Sequence, residues 1–264
     1  MLIRGGTVVD AGGERLADVR TGPDGRIAEV EAGLDPLGGE QVHDAAGKLV
    51  IPGGIDAHTH LHMPVGAVRV SDDFASGTRA AAVGGTTTII DYVTVPRGDD
   101  PMTTVATWRS WAEPSVVDWG LHLTFTEAVP ESVVAAGVEA GITSFKLYLA
   151  YPDRLMVDDA TVVRLMRAAR RQGALVTLHC ENGGAIEELR REALAAGRTE
   201  VIEHARTRPA ILEGEAVGRA AALAEVTGAS IYIVHVSSAP ALAAVRSAQE
   251  RGVDVRAETC PQYL

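Results

Sequence analysis

Four histidines and one lysine stand at positions where their side chains could act together. In the segment GGIDAHTH, His58 and His60 are separated by one residue. In an extended strand, positions i and i+2 point to the same face, so both imidazoles converge on one point. That is a metal-ligand geometry. His179 closes the apolar run ALVTLH and His235 closes SIYIVH. Taken singly, an HxH pair arises by coincidence and a lone histidine at a strand end caps it as a satisfied polar group. Four of the chain's eight histidines at the carboxyl ends of apolar strands are harder to dismiss, because barrel enzymes place their reacting residues at that edge.

Lys146 lies in the middle of ITSFKLYLA, where an unpaired ammonium costs several kcal/mol. The ordinary explanation is a buried ion pair with a carboxylate. A protonated lysine has only donors and cannot bind a cation. Desolvation and nearby positive charge depress its pKa, however, and the neutral amine reacts with carbon dioxide to form a carbamate. The two carbamate oxygens can bridge two metal ions, which gives a buried lysine a purpose beside four histidines.

The elements that must position these groups follow from the patterning. Residues 1–50 alternate β-rich pieces (Leu2 to Val9, Arg15 to Arg20, Arg26 to Val30, Lys48 to Ile51) with Gly-Gly, Pro-Asp-Gly and Ala-Gly turns, which reads as a small β-domain. From residue 51, short apolar β-branched runs alternate with Ala-rich helical stretches. Strands are predicted at 51–58, 86–94, 117–125, 142–149, 174–180, 230–236 and 253–259. Helices are predicted at 75–83, 102–112, 131–140, 158–172, 184–197, 210–227 and 239–251. Seven βα steps imply a parallel sheet. Continuous apolar runs leave a doubly wound sheet and a TIM barrel both open, and the polar residues at the strand ends favour the barrel.

Composition sets bounds on the function. With 264 residues, 46% of them hydrophobic, the chain can bury a sizeable core. Its formal charge is -11 and no basic cluster is longer than the stretch from Arg167 to Arg171, which argues against nucleic acid and for a small polar substrate. Two cysteines far apart, Cys180 and Cys260, give no disulfide framework and read as buried apolar residues. The start MLIRGGTVVD has no apolar signal region and no long apolar span occurs, so a cytosolic location and no membrane partner are expected. Gly84-Gly85 is a helix-to-strand turn, since no Lys-Ser/Thr follows it. His122, His43 and His204 are read as core, surface or cap residues.

The motifs GGIDAHTH, GGTTTIIDY, SFKLYLAY, LHCENG, IVHVSS and ETCPQYL together resemble, in order, those of the dihydropyrimidinase and D-hydantoinase family of amidohydrolases. The resemblance covers essentially the whole chain. It implies an α/β fold: an amidohydrolase-type TIM (β/α)8 barrel over residues 51–264, truncated before its eighth strand, beside a partial β-sandwich over residues 1–50. It further implies two divalent ions, usually zinc, held by His58, His60, N6-carboxylated Lys146, His179 and His235. Tyr151 falls on the family's substrate tyrosine, whose hydroxyl supports an oxyanion, and His62 falls in a loop that walls the substrate pocket or is simply solvated. The implied reaction is attack of a metal-bridging hydroxide on a cyclic amide, opening a dihydropyrimidine or hydantoin to an N-carbamoyl amino acid. A homo-oligomer, tetramer or dimer, is likewise implied.

The family's strand-8 aspartate, which carries the proton to the leaving nitrogen, falls beyond Leu264. The sequence therefore reads as a natural short product, a partial gene or a fragment, and a catalytically inactive truncation is one alternative. Allantoinase is another. Dihydroorotase is disfavoured because His62 stands where its arginine follows the HxH pair, and a non-catalytic relative of the nervous system is disfavoured because all five ligand positions are kept.

Overall fold

A computed structural model describes residues 1–264 and divides them into two compact units, residues 1–54 with 85–87, and residues 55–84 with 88–264. In the first, β1 (Leu2–Asp10) turns at Gly12 into β2 (Gly13–Thr21), which pairs antiparallel with β3 (Ile27–Glu31). Strands β4 (Val42–Asp44) and β5 (Leu49–Val50) run parallel to β1. Inward positions Val8, Ala17 and Val19 form a small core with Ile3, Val30 and Val50. Asp18 points the other way from its two apolar neighbours and accepts from the backbone N–H of Gly5 at 2.6 Å and of Leu34 at 2.8 Å. These bonds hold its carboxyl below the usual range even though burial opposes them.

The second unit is built on seven strands: β6 (Gly54–Thr59), β9 (Thr86–Thr94), β10 (Asp118–Thr124), β11 (Ser144–Tyr148), β12 (Leu175–His179), β13 (Ile231–Ile233) and β14 (Val255–Ala257). They lie side by side in chain order, and the pairings from β9 to β14 are all parallel. A small hairpin of β7 (Pro64–Val65) and β8 (Val68–Arg69) follows the first of them. Between strands run α1 (Phe74–Val83), α2 (Pro101–Ala112), α3 (Glu131–Glu139), α4 (Asp159–Arg171), α5 (Gly183–Ala195), α6 (Glu203–Arg206), α7 (Ala210–Thr227) and α8 (Ala239–Glu250).

Local chemistry explains where these helices start. Asp73, Asp100, Asp158, Asn182 and Ser238 each accept a backbone N–H of the first turn, satisfying donors that have no partner inside the helix. Strand alternation then sorts the side chains. On β11, Phe145 and Leu147 point into the apolar layer, while Lys146 between them points to the opposite face of the sheet. Register sets Lys146 beside Thr124 of β10 and Thr177 of β12.

The sheet is strongly curled. His58 at the end of β6 hydrogen-bonds Glu258, the residue after β14, although these strands occupy opposite ends of the strand order. Curling of this kind puts one set of alternate side chains inside a barrel and gathers the strand ends at one rim. All seven predicted strands are present. The four-residue α6 and the three-residue β4 were outside the sequence reading, and β13 stops at Ile233, three residues before its predicted end.

Candidate functional site

The five residues singled out by spacing come together at this rim. His58 is in β6 and His60 is the first residue beyond it; Lys146 is mid-β11 and His179 is the last residue of β12. His235 differs from expectation, since it lies two residues past β13 with a left-handed φ of 40°. That conformation is uncommon for a residue with a Cβ and is retained where the surroundings over-determine it. Ring centroids are 5.2 Å apart for His58 and His60, 5.5 Å for His58 and His235, and 4.7 Å for His179 and His235. Nδ1 of His179 and Nε2 of His235 are 2.9 Å apart.

Lys146 sits beneath these rings with 0% exposure, and its Nζ has no hydrogen-bond partner. The nearest compensation is from aromatic faces: Nζ is 4.7 Å from the Tyr92 ring centre and 5.1 Å from that of Tyr148. Cation–π attraction of this sort is worth about 2 kcal/mol when desolvated, less than the cost of burying an ammonium. Burial accordingly drags the lysine down to about 7. Nδ1 of His60 is also buried without a partner.

Burial governs the imidazoles too. His60 is pushed down to about 3 by burial, then by the charges of His58 and Lys146; His235 is pushed down to about 2 by burial and His179. Burial also lowers His179, against the opposing pull of Glu181. Neutral imidazoles keep a lone pair, the form in which they bind metal. The rings here pair with one another and with carboxylates, so no three His, Cys, Asp or Glu side chains form a ready-made ligand array.

Tyr151 is three residues beyond β11, again at a left-handed φ, 65°, and its carbonyl accepts the backbone N–H groups of Arg154, Leu155 and Met156. Its ring is 5.1 Å from that of His179. Burial first, and then the charge of Glu181, raises its pKa, so the hydroxyl stays protonated and able to donate. A cleft of about 730 Å³ opens over His58, His60, Tyr151, His179 and His235, and an adjoining one of about 560 Å³ runs from Tyr151 toward Arg208. Both are of the size that takes a small ligand. His62 is placed away from the imidazole cluster, its ring 4.6 Å from that of Trp111.

Several residues around the site were not assigned a role from sequence. Nε2–H of His122 donates to the carbonyl of Ala57 at 3.0 Å, while its Nδ1 faces the Ser144 hydroxyl. It is a strut under the HxH strand, in line with the core role expected for it. Glu181 meets Nε2 of His179 at 3.0 Å, and Glu258 meets Nδ1 of His58. Asp91 accepts from the Thr59 hydroxyl, the Leu61 N–H and the Trp108 indole. Glu181, Glu258 and Asp91 lie in the motifs LHCENG, ETCPQYL and GGTTTIIDY, which was the available signal.

Comparison with known proteins fits this geometry. The pattern of the amidohydrolase family matches residues 49–261. The chain belongs to that family. It is 47% identical over its whole length to a D-hydantoinase of Geobacillus stearothermophilus, covering 56% of that protein, and 38% identical to a dihydropyrimidinase of Rattus norvegicus, with 98% of the chain and 51% of the relative covered. Among solved structures, a D-hydantoinase from a Bacillus sp. superposes with a TM-score of 0.96 at 44% identity, covering 100% of this chain and 58% of that one. An L-hydantoinase of Arthrobacter aurescens superposes with a TM-score of 0.87 at 27% identity, with the same coverage. The chain thus spans a little over half the length of these amidohydrolases and corresponds to their N-terminal part. The fold is α/β, a curled parallel seven-stranded sheet that forms part of an amidohydrolase-type barrel, as expected from the motifs. No helix is long and apolar enough to cross a membrane.

Proposed function

We propose that the protein is a metal-dependent hydrolase of cyclic amides that opens dihydropyrimidine or hydantoin rings to N-carbamoyl amino acids. The observation that carries this reading is the convergence of four imidazoles over a fully buried lysine whose Nζ has no partner. The names of the related D-hydantoinases and dihydropyrimidinase support the choice of substrate.

The donor set fits two divalent cations, zinc by preference, which His58, His60, His179, His235 and carboxylated Lys146 would hold. In forming that group, the neutral amine attacks the carbon of carbon dioxide and loses one proton, leaving a carbamate with two oxygens. It replaces an unpaired buried ammonium by an anion that belongs beside cations. When bound, the ions supply Lewis acidity and a nucleophilic hydroxide at neutral pH. The chain's own groups then set the reaction's geometry. Tyr151, kept protonated and held at the mouth of the cleft by its left-handed backbone, donates to the oxygen that gains charge as the carbonyl becomes tetrahedral. The aromatic faces of buried Tyr92 and half-buried Tyr148 flank the lysine and limit access of bulk water to it. In this reading residues 51–264 form the hydrolase domain and residues 1–50 a partial β-sandwich, in a cytoplasmic homo-oligomer.

The test is to titrate zinc into the metal-free protein and assay opening of dihydrouracil and 5-substituted hydantoins by loss of ring absorbance. Zinc-dependent turnover is expected where the chain also carries the family's strand-8 aspartate, and zinc binding without any ring opening there would remove the substrate assignment. No zinc binding at all would remove the metal assignment. Tyr151→Phe separates the roles: turnover is expected to fall on the order of a hundredfold, while bound zinc per chain is unchanged. Equal turnover in the Phe variant would show that the oxyanion is stabilised elsewhere.

A further inference from the structure

We infer that Glu181 and Glu258 are positioning residues that fix the tautomers of His179 and His58, leaving bare lone pairs at Nδ1 of His179 and Nε2 of His58 aimed into the site. The inference rests on the metal-binding reading above and adds two residues to it.

An ionised carboxylate only accepts, so a ring nitrogen in hydrogen-bond contact with it must carry the proton. Nε2 of His179 is 3.0 Å from a Glu181 oxygen, and Nδ1 of His58 contacts a Glu258 oxygen. A neutral imidazole carries one N–H. Its other nitrogen is therefore bare: Nδ1 in His179 and Nε2 in His58. Nδ1 of His179 faces Nε2 of His235 at 2.9 Å, so the freed lone pair points toward another imidazole and into the cluster.

Each carboxylate is itself held at its second oxygen. Arg208 Nε lies 3.6 Å from Glu181 Oε1, and the Tyr232 hydroxyl donates to Glu258 Oε2 at 3.1 Å. Glu181 belongs to the turn between β12 and α5, and Glu258 follows β14, so the grips come from separate elements. A carboxylate on the outer nitrogen of a ligating histidine orients the ring and raises its basicity, and removing it lowers metal affinity about tenfold to a hundredfold. Arg208 and Tyr232 keep the carboxylates from turning out into the neighbouring clefts.

Zinc titration calorimetry on the wild-type protein, Glu181→Gln and Glu258→Gln tests this, with Glu187→Gln on the exposed face of α5 as a control. Each site variant is expected to bind zinc about tenfold to a hundredfold more weakly, with thermal stability of the metal-free protein close to wild type and the control unchanged. Long-range nitrogen–proton NMR on the metal-free wild type gives a readout that needs no variant. It is expected to show the Nε2–H tautomer for His179 and the Nδ1–H tautomer for His58. Failure of the wild type to bind zinc would overturn the metal reading itself. If the wild type binds zinc and both Gln variants bind it equally tightly, or if the NMR shows the reverse tautomers, this inference alone is overturned.

Discussion

Replacing Lys146 with alanine is expected to abolish metal-dependent ring opening, and replacing it with methionine is expected to stabilise the metal-free protein. Both outcomes follow from one placement. The side chain is fully buried between Thr124 and Thr177 in the register of the sheet, with no hydrogen-bond partner for Nζ. A group that costs stability and is nevertheless kept at the centre of a histidine cluster has a use that does not depend on folding. Methionine retains most of the stem and removes the desolvated amine, so it should raise stability by about 3 kcal/mol, the order of cost for an unpaired buried polar group. Urea denaturation in the presence of a chelator measures it. The same variant should hold less zinc, because it cannot form the carbamate that would serve as a ligand. With alanine, the space left beside the ligands admits a small carboxylic acid, and millimolar acetate or propionate is expected to restore part of the zinc content and turnover. A methionine variant less stable than wild type, or an alanine variant fully active without additive, would contradict the assigned role.

How much of this was legible in the sequence depends on the range of the interaction concerned. His58, His60, Lys146 and His179 could be read because strand periodicity is local: a polar residue in an apolar run, or at its end, declares its own face. His235 was found by the same rule, but its conformation was not, since β13 ends at Ile233 and the chain turns through a left-handed residue that no local pattern announces. Glu181 and Glu258 were hidden for a different reason. Glu181 follows a predicted strand and Glu258 falls inside the one predicted at 253–259, and neither shows a role until the sheet curls and brings the end of β14 against the end of β6, 200 residues away in the chain. Strand β4 was missed because all three of its residues, Val42, His43 and Asp44, are exposed and it is fixed only by pairing with β1. Tyr151 needed the family motif, because its loop carries no periodicity.

Asp91 illustrates the same limit and leads to a second large effect. It sits on β9 with 0% exposure, one oxygen accepting from the Thr59 hydroxyl at 2.9 Å and the Leu61 N–H at 2.7 Å, the other from the Trp108 indole at 3.2 Å. Thr59 and Leu61 flank His60, so this one carboxylate fixes the backbone on both sides of a histidine in the cluster. Asp91→Ala orphans the Leu61 N–H and the Trp108 indole, while the Thr59 hydroxyl keeps the Ile90 carbonyl at 3.3 Å; at about 1 kcal/mol or more for each lost partner the expected loss of stability is about 2 kcal/mol. The carboxylate has no cation beside it, and burial outweighs its hydrogen bonds, raising its pKa from 3.8 to about 6. With the folded value above the unfolded one, the folded state holds more protons between those pH values, so this group's contribution to stability grows as pH falls from about 6 to about 4 and is smallest above that window. Comparing wild type with Asp91→Asn isolates the effect from every other titrating group. The stability of the wild type relative to the Asn variant is expected to rise by about 3 kcal/mol across the window. A flat or oppositely sloped difference would mean that the three donors outweigh burial and that Asp91 stays ionised, in which case the clamp around His60 acts at its full strength at low pH as well.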